Sequence, residues 1–317
     1  MSINHPEGKI RRYEPLRDRL AVVNLVERAF ELQHDPDGQA MLRQMRNDAR
    51  KQTRNALLNL MTGGTEGFIW EADGKLVGNI TLIPFQSGFK PITLVANVAV
   101  EKEWQGRGIG TELTRHALRV ARQMPLGEIW LQVRSEKKEA IRMYESLGFK
   151  KFSALSQWRR PARKDDYCLS RKYSGLLFRR RVSDWPVQSK WLEAAYPKPT
   201  RWYASFDFNL LKPYAWINPL NWVDLMALKT CCLRSDAGMV AALSCHSSPR
   251  YRNRLWLAVD RPSPDDEKVR TLLEAFLENE WDGGELLMEY PLGWATEAIA
   301  SAGFVNRRDL DWMRFEG

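Results

Sequence analysis

The sequence predicts an α/β (α+β) chain of two domains, each a mixed, mainly antiparallel twisted sheet flanked by helices. Three observations predict it. The 317 residues are too many for one ordinary small domain and enough for two that each bury a core. The second half repeats the order of hydrophobic patterns found in the first. Within each half, period-two segments joined by a tight turn precede an apolar run and helix-period segments.

The first half opens with a short basic strand, KIRRYEP, and the amphipathic segment RLAVVNLVERAF. The second opens with LLFRRRVSDWP and VQSKWLEAAYP, where Ser183-Asp184 ahead of Trp185-Pro186 is a helix start signal. FIWEADGKLVGNITLI alternates about Asp73-Gly74, a residue pair suited to a two-residue hairpin turn, and CCLRSDAGMVAALSC alternates about Asp236-Ala237-Gly238. The strand LVANVAV and its counterpart RLWLAVD each lead into a helical segment, ELTRHALRVARQM or EKVRTLLEAFLEN. Each half then ends as strand, helix, Gly-Phe and strand, in GEIWLQVRSEKKEAIRMYESLGFKKFSALSQWRR and GELLMEYPLGWATEAIASAGFVNRRDLDWMRF. The polar, unpatterned stretch 164–172 marks the boundary and gives domains over 1–164 and 172–317. Residues 206–221, rich in Pro, Trp and Tyr, have no clear period and read as loop and helix fragments.

The 44% hydrophobic and 27% charged fractions are those of a globular chain, and no apolar run approaches the roughly 20 residues that cross a bilayer. No membrane partner is expected. MSINHPEGKIRRYEP lacks the apolar core of a secretion signal, so the expected address is cytoplasmic. Cys168, Cys231, Cys232 and Cys245 have no C-x-x-C spacing, which argues against a disulfide framework and a zinc site, and no metal is expected. A net charge of +9 favours acidic partners at long range. However, the clusters Arg159-Arg160 with Arg163-Lys164 and Arg179-Arg180-Arg181 lack the aromatic interleaving of a single-strand binder, so nucleic acid is not the expected partner.

The segment VAVEKEWQGRGIGTEL puts Gln105, Gly108 and Gly110 at the spacing Q-x-x-G-x-G between a buried strand and a helix. Glycines let consecutive backbone N–H groups turn inward, and a helix beginning near Ile109 adds unpaired donors and a positive dipole end, so a diphosphate fits. Ile109, Leu113, Ala117, Val120, Ala121 and Met124 form one stripe that packs on the sheet while the first turn faces ligand. A dinucleotide fingerprint would need glycine at Thr111, and a P-loop would need Gly-Lys-Ser/Thr after the loop; both are absent. Farther on, Ile129, Leu131 and Val133 alternate as one strand face. Ala140, Ile141, Tyr144 and Leu147 form the inner face of a helix that Gly148 ends, a Tyr-x-x-x-Gly-Phe segment.

Together these motifs resemble those of the GNAT acetyltransferases, and residues 8 to 160 follow that family's order of elements. The resemblance implies acetyl-CoA as co-substrate, with Gln105, Gly106, Arg107, Gly108, Ile109, Gly110 and Thr111 around its pyrophosphate. It places pantetheine beside the strand carrying Val98, Ala99 and Val100, with the oxyanion donor a backbone N–H of Val98 or its neighbours. Tyr144 takes the position of an acid that protonates the departing thiolate; the alternative reading of the residues is a core tyrosine with its hydroxyl satisfied elsewhere. Lys137 stands where the family often has asparagine, and would meet a phosphate or pantetheine group. The implied activity is transfer of acetyl to a primary amine, on a small molecule or a protein, by direct attack in a ternary complex.

Residues 94–100 hold no carboxylate, and with Lys137 this raises the alternative of a non-catalytic acyl-CoA-binding regulatory or scaffold protein. Candidate bases are His34, Glu66, Glu71 and Glu101, each of which also reads as an ordinary surface residue. His116 and His246 read as structural or exposed. The second half has RPSPDDEKVR where the glycine loop should be, and Ile299 where the first half has Tyr144. Its prolines remove donors and Asp265, Asp266 and Glu267 repel a diphosphate, so no productive coenzyme site is expected there. It is expected to shape the acceptor site or to pack as a built-in dimer partner, giving a pseudo-dimeric monomer or a homodimer. Tandem chains of this layout include enzymes resembling mycothiol synthase, which acetylates an amine of a small thiol-containing sugar conjugate; no residue here identifies the acceptor.

Overall fold

Alternating apolar positions in the first half become strands. In the computed structural model, which describes residues 8–31, 39, 42–43, 66–87, 90–123, 127–162, 173, 175–204, 206–248, 252–281 and 283–317, β1 (Lys9–Arg12), β2 (Glu66–Ala72), β3 (Lys75–Ser87) and β4 (Lys90–Val100) pair antiparallel in that order. β5 (Glu128–Arg134) then joins β4 in parallel. Asp73 and Gly74, with φ of 49° and 70°, make the two-residue turn between β2 and β3, where both central residues need positive φ. Neighbouring side chains on a strand point to opposite faces, so the sheet is covered on both. Ile69 packs with Val22, Val23, Leu25 and Val26 of α1 (Pro15–Ala29). Phe68 and Trp70 pack with Ile109, Leu113 and Ala117 of α2 (Ile109–Ala121). α3 (Lys138–Ser146) adds Tyr144 to the α2 side.

β1 is tied to α1 and β2 by charge. Arg11 on β1 grips both oxygens of Asp18 on α1 at 2.6 and 2.7 Å and donates to Glu71 on β2 at 2.8 Å. Burial works to raise the Asp18 pKa, but Arg11 and the Glu14 amide outweigh it and hold the carboxyl below its ordinary value.

β6 (Phe149–Arg160) ends the first half of the sequence, and the second half opens with α4 (Trp185–Ala195), α5 (Trp222–Met226), β7 (Leu228–Ser235), β8 (Gly238–Ser248) and β9 (Arg252–Ala258). α6 (Glu267–Asn279), β10 (Leu286–Pro291), α7 (Thr296–Ser301) and β11 (Val305–Phe315) follow. β7, β8 and β9 pair antiparallel, β9 and β10 parallel, and β10 and β6 antiparallel. The architecture is therefore mixed α/β with a mainly antiparallel sheet, as the patterns require.

Contacts divide the chain into two compact units. The first comprises Met1–Val133, Lys137–Phe152 and Trp312–Gly317, and the second Arg134–Glu136 and Ser153–Asp311. Residues Trp312–Gly317 thus belong to the first unit: Met313 is fully buried among the α2-side residues, Phe315 lies 5.4 Å from Phe149, and the Glu316 amide donates to the Gly148 carbonyl at 2.9 Å. In the second unit, Ser156 on β6 donates to Asp309 on β11 at 2.7 Å.

Two local expectations change. LLFRRR forms only the bridge Phe178↔Cys232 instead of a strand, and just beyond it the chain turns into a 3-10 turn at Val182–Asp184, where the Arg181 amide donates to the Asp184 carboxylate at 2.6 Å. The β7–β8 turn is Asp236-Ala237 alone, since Gly238, at φ 122°, already pairs with Ser235. Residues 206–221 carry short 3-10 turns at Phe208–Leu211, Ala215–Ile217 and Pro219–Asn221. The boundary at 164–172 lies outside the described residues. Among the described residues, no helix is long and apolar enough to cross a membrane.

Candidate active site

The glycine loop works through its backbone. Gly106 and Gly108 have φ of 75° and 81°, and a Cβ on either would meet nothing within 4 Å, so conformation and not crowding calls for glycine. Gly108 is the N-cap of α2 and offers no side chain to the helix. The first helical hydrogen bond runs from the Glu112 amide to the Gly108 carbonyl at 3.0 Å, so the amides of Ile109, Gly110 and Thr111 precede the helical ladder and stay available. Gly110 has no positive φ; a Cβ there would lie 3.6 Å from Met143 Sδ of α3, an ordinary contact. Gln105 Nε2 donates to the Val100 carbonyl at 3.0 Å and pins the loop to the end of β4. Arg107 donates to the Glu103 carbonyl at 3.1 Å and lies over the Trp104 ring at 4.7 Å.

Beneath this loop sits Gly78, to which the sequence patterns assign no role. A Cβ on Gly78 of β3 would come within 3.0 Å of Leu113 and 3.1 Å of Ile109, so glycine lets the first turn of α2 rest directly on the sheet. Its signal was an isolated glycine inside an alternating strand pattern.

The second component is a break in β4. Asn79↔Ala99 and Thr81↔Ala96 leave two β4 residues, Asn97 and Val98, opposite the single β3 residue Ile80, and Asn97 takes φ 52°. Parallel pairing with β5 runs from Ile92↔Glu128 to Val95↔Leu131, whereas β4 continues to Val100 and β5 to Arg134. A wedge therefore opens beside the bulge. Val98 and Val100 pack on the α2 side, and the buried Ala99 packs on the α1 side.

Tyr144 projects from α3 into the same cluster as Ile109, Val98 and Val100, edge-on to Phe149 at 5.9 Å. Burial alone raises its pKa well above the ordinary tyrosine value, so the hydroxyl keeps its proton at neutral pH. Lys137 is exposed at the N-cap of α3, and its carbonyl accepts from the Ile141 amide at 3.1 Å.

The base candidates fare unequally. Glu71 bonds Arg11 and Arg17 at 2.8 and 2.7 Å, and its pKa is lowered first by the Arg11 hydrogen bond, which weakens it as a base. Glu101 is paired with Arg28 of α1. Glu66 meets Arg12 at 3.6 Å through one oxygen while the other is buried without a hydrogen bond among the described residues. His34 lies outside the described residues. His116 stands edge-on to Phe68 at 4.6 Å, and burial, then the Arg119 charge, lowers its pKa. His246 is buried beside Phe206, with Nε2 3.7 Å from Asp224. Among the described residues, no group of three or more His, Cys, Asp or Glu is placed to hold a metal ion.

This geometry has relatives. Residues 22–149 match the Acetyltransferase (GNAT) family. The mycothiol acetyltransferase of Saccharomonospora viridis is 32% identical over 152 residues, 45% of this chain and 46% of that protein. The [ribosomal protein bS18]-alanine N-acetyltransferase of Escherichia coli K12 is 38% identical over 53 residues, 17% of this chain and 36% of that protein. The chain spans about half the length, or less, of the curated relatives it matches. The crystal structure of a GCN5-related N-acetyltransferase from Sphaerobacter thermophilus shares the fold at 15% identity and a TM-score of 0.54, over 97% of this chain and 95% of that one. Residues 22–149 of this chain form a domain of the GNAT acetyltransferase family.

Proposed function

We propose that the protein transfers an acetyl group from acetyl-CoA to a primary amine. One observation carries the reading: amides left open at the start of α2 stand at the end of the strand whose bulge opens a wedge toward β5. A diphosphate accepts from the amides around Gly106 to Thr111, and the pantetheine arm lies along Val98 to Val100 as an added strand edge. In the transfer, the amine nitrogen bonds to the thioester carbonyl carbon and the oxygen gathers negative charge, to which the Val98 amide donates a hydrogen bond. The carbon–sulfur bond then breaks, sulfur leaves with the electron pair, and Tyr144 supplies its proton. Tyr144 recovers a proton from the new ammonium through solvent. A hydroxyl held protonated by burial suits that step, and Lys137, exposed at the N-cap of α3, serves as a phosphate or pantetheine contact.

In chain order we take 1–164 as the acetyltransferase domain and 172–317 as a degenerate copy. The relatives' names point to two acceptor classes to test first, a small molecule and an alanine of a protein. The same reading puts the protein in the cytoplasm, with acetyl-CoA. A panel of amines, followed by release of free thiol from acetyl-CoA, tests the proposal: acetylated product from at least one amine is expected. Tight coenzyme binding with no thiol release across both classes would favour a non-catalytic acyl-CoA-binding protein.

A further inference from the structure

The bulge on β4 is locked from β3. Asn79, only 1% exposed, donates from Nδ2 to the Asn97 carbonyl at 3.0 Å, with a longer contact of 3.4 Å to Thr81 Oγ1. Asn97 is the residue at φ 52°, a left-handed conformation that non-glycine residues hold only when their surroundings fix it. In a planar trans peptide the carbonyl and the following N–H point in opposite directions. Drawing the Asn97 carbonyl toward β3 therefore turns the Val98 N–H away from β3, to the side where β4 has parted from β5 beyond Val95↔Leu131. Without that bond the 97–98 peptide is free to rotate back toward ordinary extended geometry.

We infer that Asn79 is a positioning residue that aims the Val98 amide at the thioester carbonyl oxygen. The inference rests on the acetyl-CoA reading above and adds to it the device that orients the donor. Asn79 touches no substrate; it acts through Asn97. A buried polar side chain in the middle of a strand is otherwise costly, and its one strong hydrogen bond goes to the single left-handed residue of the neighbouring strand.

The test compares two ligands that differ at one atom group. Acetyl-CoA carries the carbonyl oxygen; S-ethyl coenzyme A has a methylene there and binds through the same diphosphate and pantetheine contacts. By calorimetry, the unaltered protein should bind acetyl-CoA about tenfold more tightly, the size of one well-made hydrogen bond. Asn79→Ala should bring the two affinities to within about twofold of each other by weakening acetyl-CoA, leaving S-ethyl coenzyme A nearly unchanged. Asn79→Val, with strand-favouring bulk and no donor, should show the same pattern and serves if the alanine variant does not fold. The inference is overturned if the preference survives in the variants, if the unaltered protein shows none, or if both affinities fall together, which is what general damage to the sheet produces. If the unaltered protein binds neither ligand, the coenzyme reading itself fails.

Discussion

The starts of α2 and α6 occupy equivalent places, each after a strand that runs parallel to the next, yet they treat their amides in opposite ways. At α2 the cap is Gly108, with no side chain, and the leading amides stay open. At α6 the cap is Asp266, whose carboxylate accepts from the amides of Lys268 and Val269 at 3.0 and 3.2 Å. The loop before α6 turns carbonyls to its neighbour: Pro264 accepts from Glu297 and Ala298 of α7 at 2.9 and 3.3 Å. The strands differ too. β4 bulges at Asn97, whereas β9 keeps an unbroken register against β8 from Ala242↔Ala258 to Ser248↔Arg252, and the Leu257 amide is taken by the Tyr196 hydroxyl at 3.1 Å. A fold of this kind becomes an anion site only where the chain leaves donors unsatisfied; when side chains fill the same positions it becomes core.

The largest expected effect comes from making the first unit resemble the second at Tyr144, where the second has the fully buried Ile299. Tyr144→Phe should lower kcat roughly a hundred- to ten-thousand-fold, the range for removing a general acid, while the Kd for coenzyme A changes little. Equal losses in both would assign Tyr144 to packing against Phe149. Next is Gly108→Asp, which transplants the α6 cap into α2. A side chain at φ 81° costs about 1–2 kcal/mol, and its carboxylate opposes a diphosphate, so coenzyme affinity should fall roughly a hundredfold by calorimetry. Unchanged affinity would show that the phosphates lie elsewhere.

Much of this contrast was legible in the sequence. Glycine at 106 and 108 against Pro-Ser-Pro-Asp-Asp announced one open helix start and one closed, because backbone freedom and fixed charge are properties of residue type. The hairpin at Asp73-Gly74 and the helix faces followed from local pattern in the same way. The bulge was not legible: LVANVAV reads as a plain buried strand, and only pairing with β3 shows that Asn97 and Val98 share one partner. Gly78, Asn79 and Tyr196 were missed for a related reason, since each acts on a segment at least eighteen positions away. Nor does the sequence announce that Met313 fills the first unit's core, because hydrophobic period gives the face of a strand and not its partner.

Two smaller effects probe the second unit. Tyr196→Phe leaves the buried Leu257 amide unpaired inside the cluster of Trp256, Phe208 and Tyr290. A stranded buried donor costs about 1–3 kcal/mol, which denaturant unfolding would register as a lower midpoint with coenzyme stoichiometry still one per chain. A midpoint equal to that of the unaltered protein would mean that the hydroxyl is replaced there by water.

Asp266→Ala is the mildest change and the sharpest on the comparison. Loss of an N-cap costs about 1 kcal/mol, a small downward shift in the unfolding midpoint. It also frees the amides of Lys268 and Val269, which makes α6 look locally like α2. If an open helix start were sufficient, the variant would gain a second coenzyme site. We expect it to gain none, because the Leu257 amide remains held by Tyr196, β9 has no bulge to part it from its neighbour, and Pro264 still faces α7. Calorimetry reads this directly: one coenzyme per chain supports the requirement for donors, wedge and loop together, and two would reduce it to the cap alone.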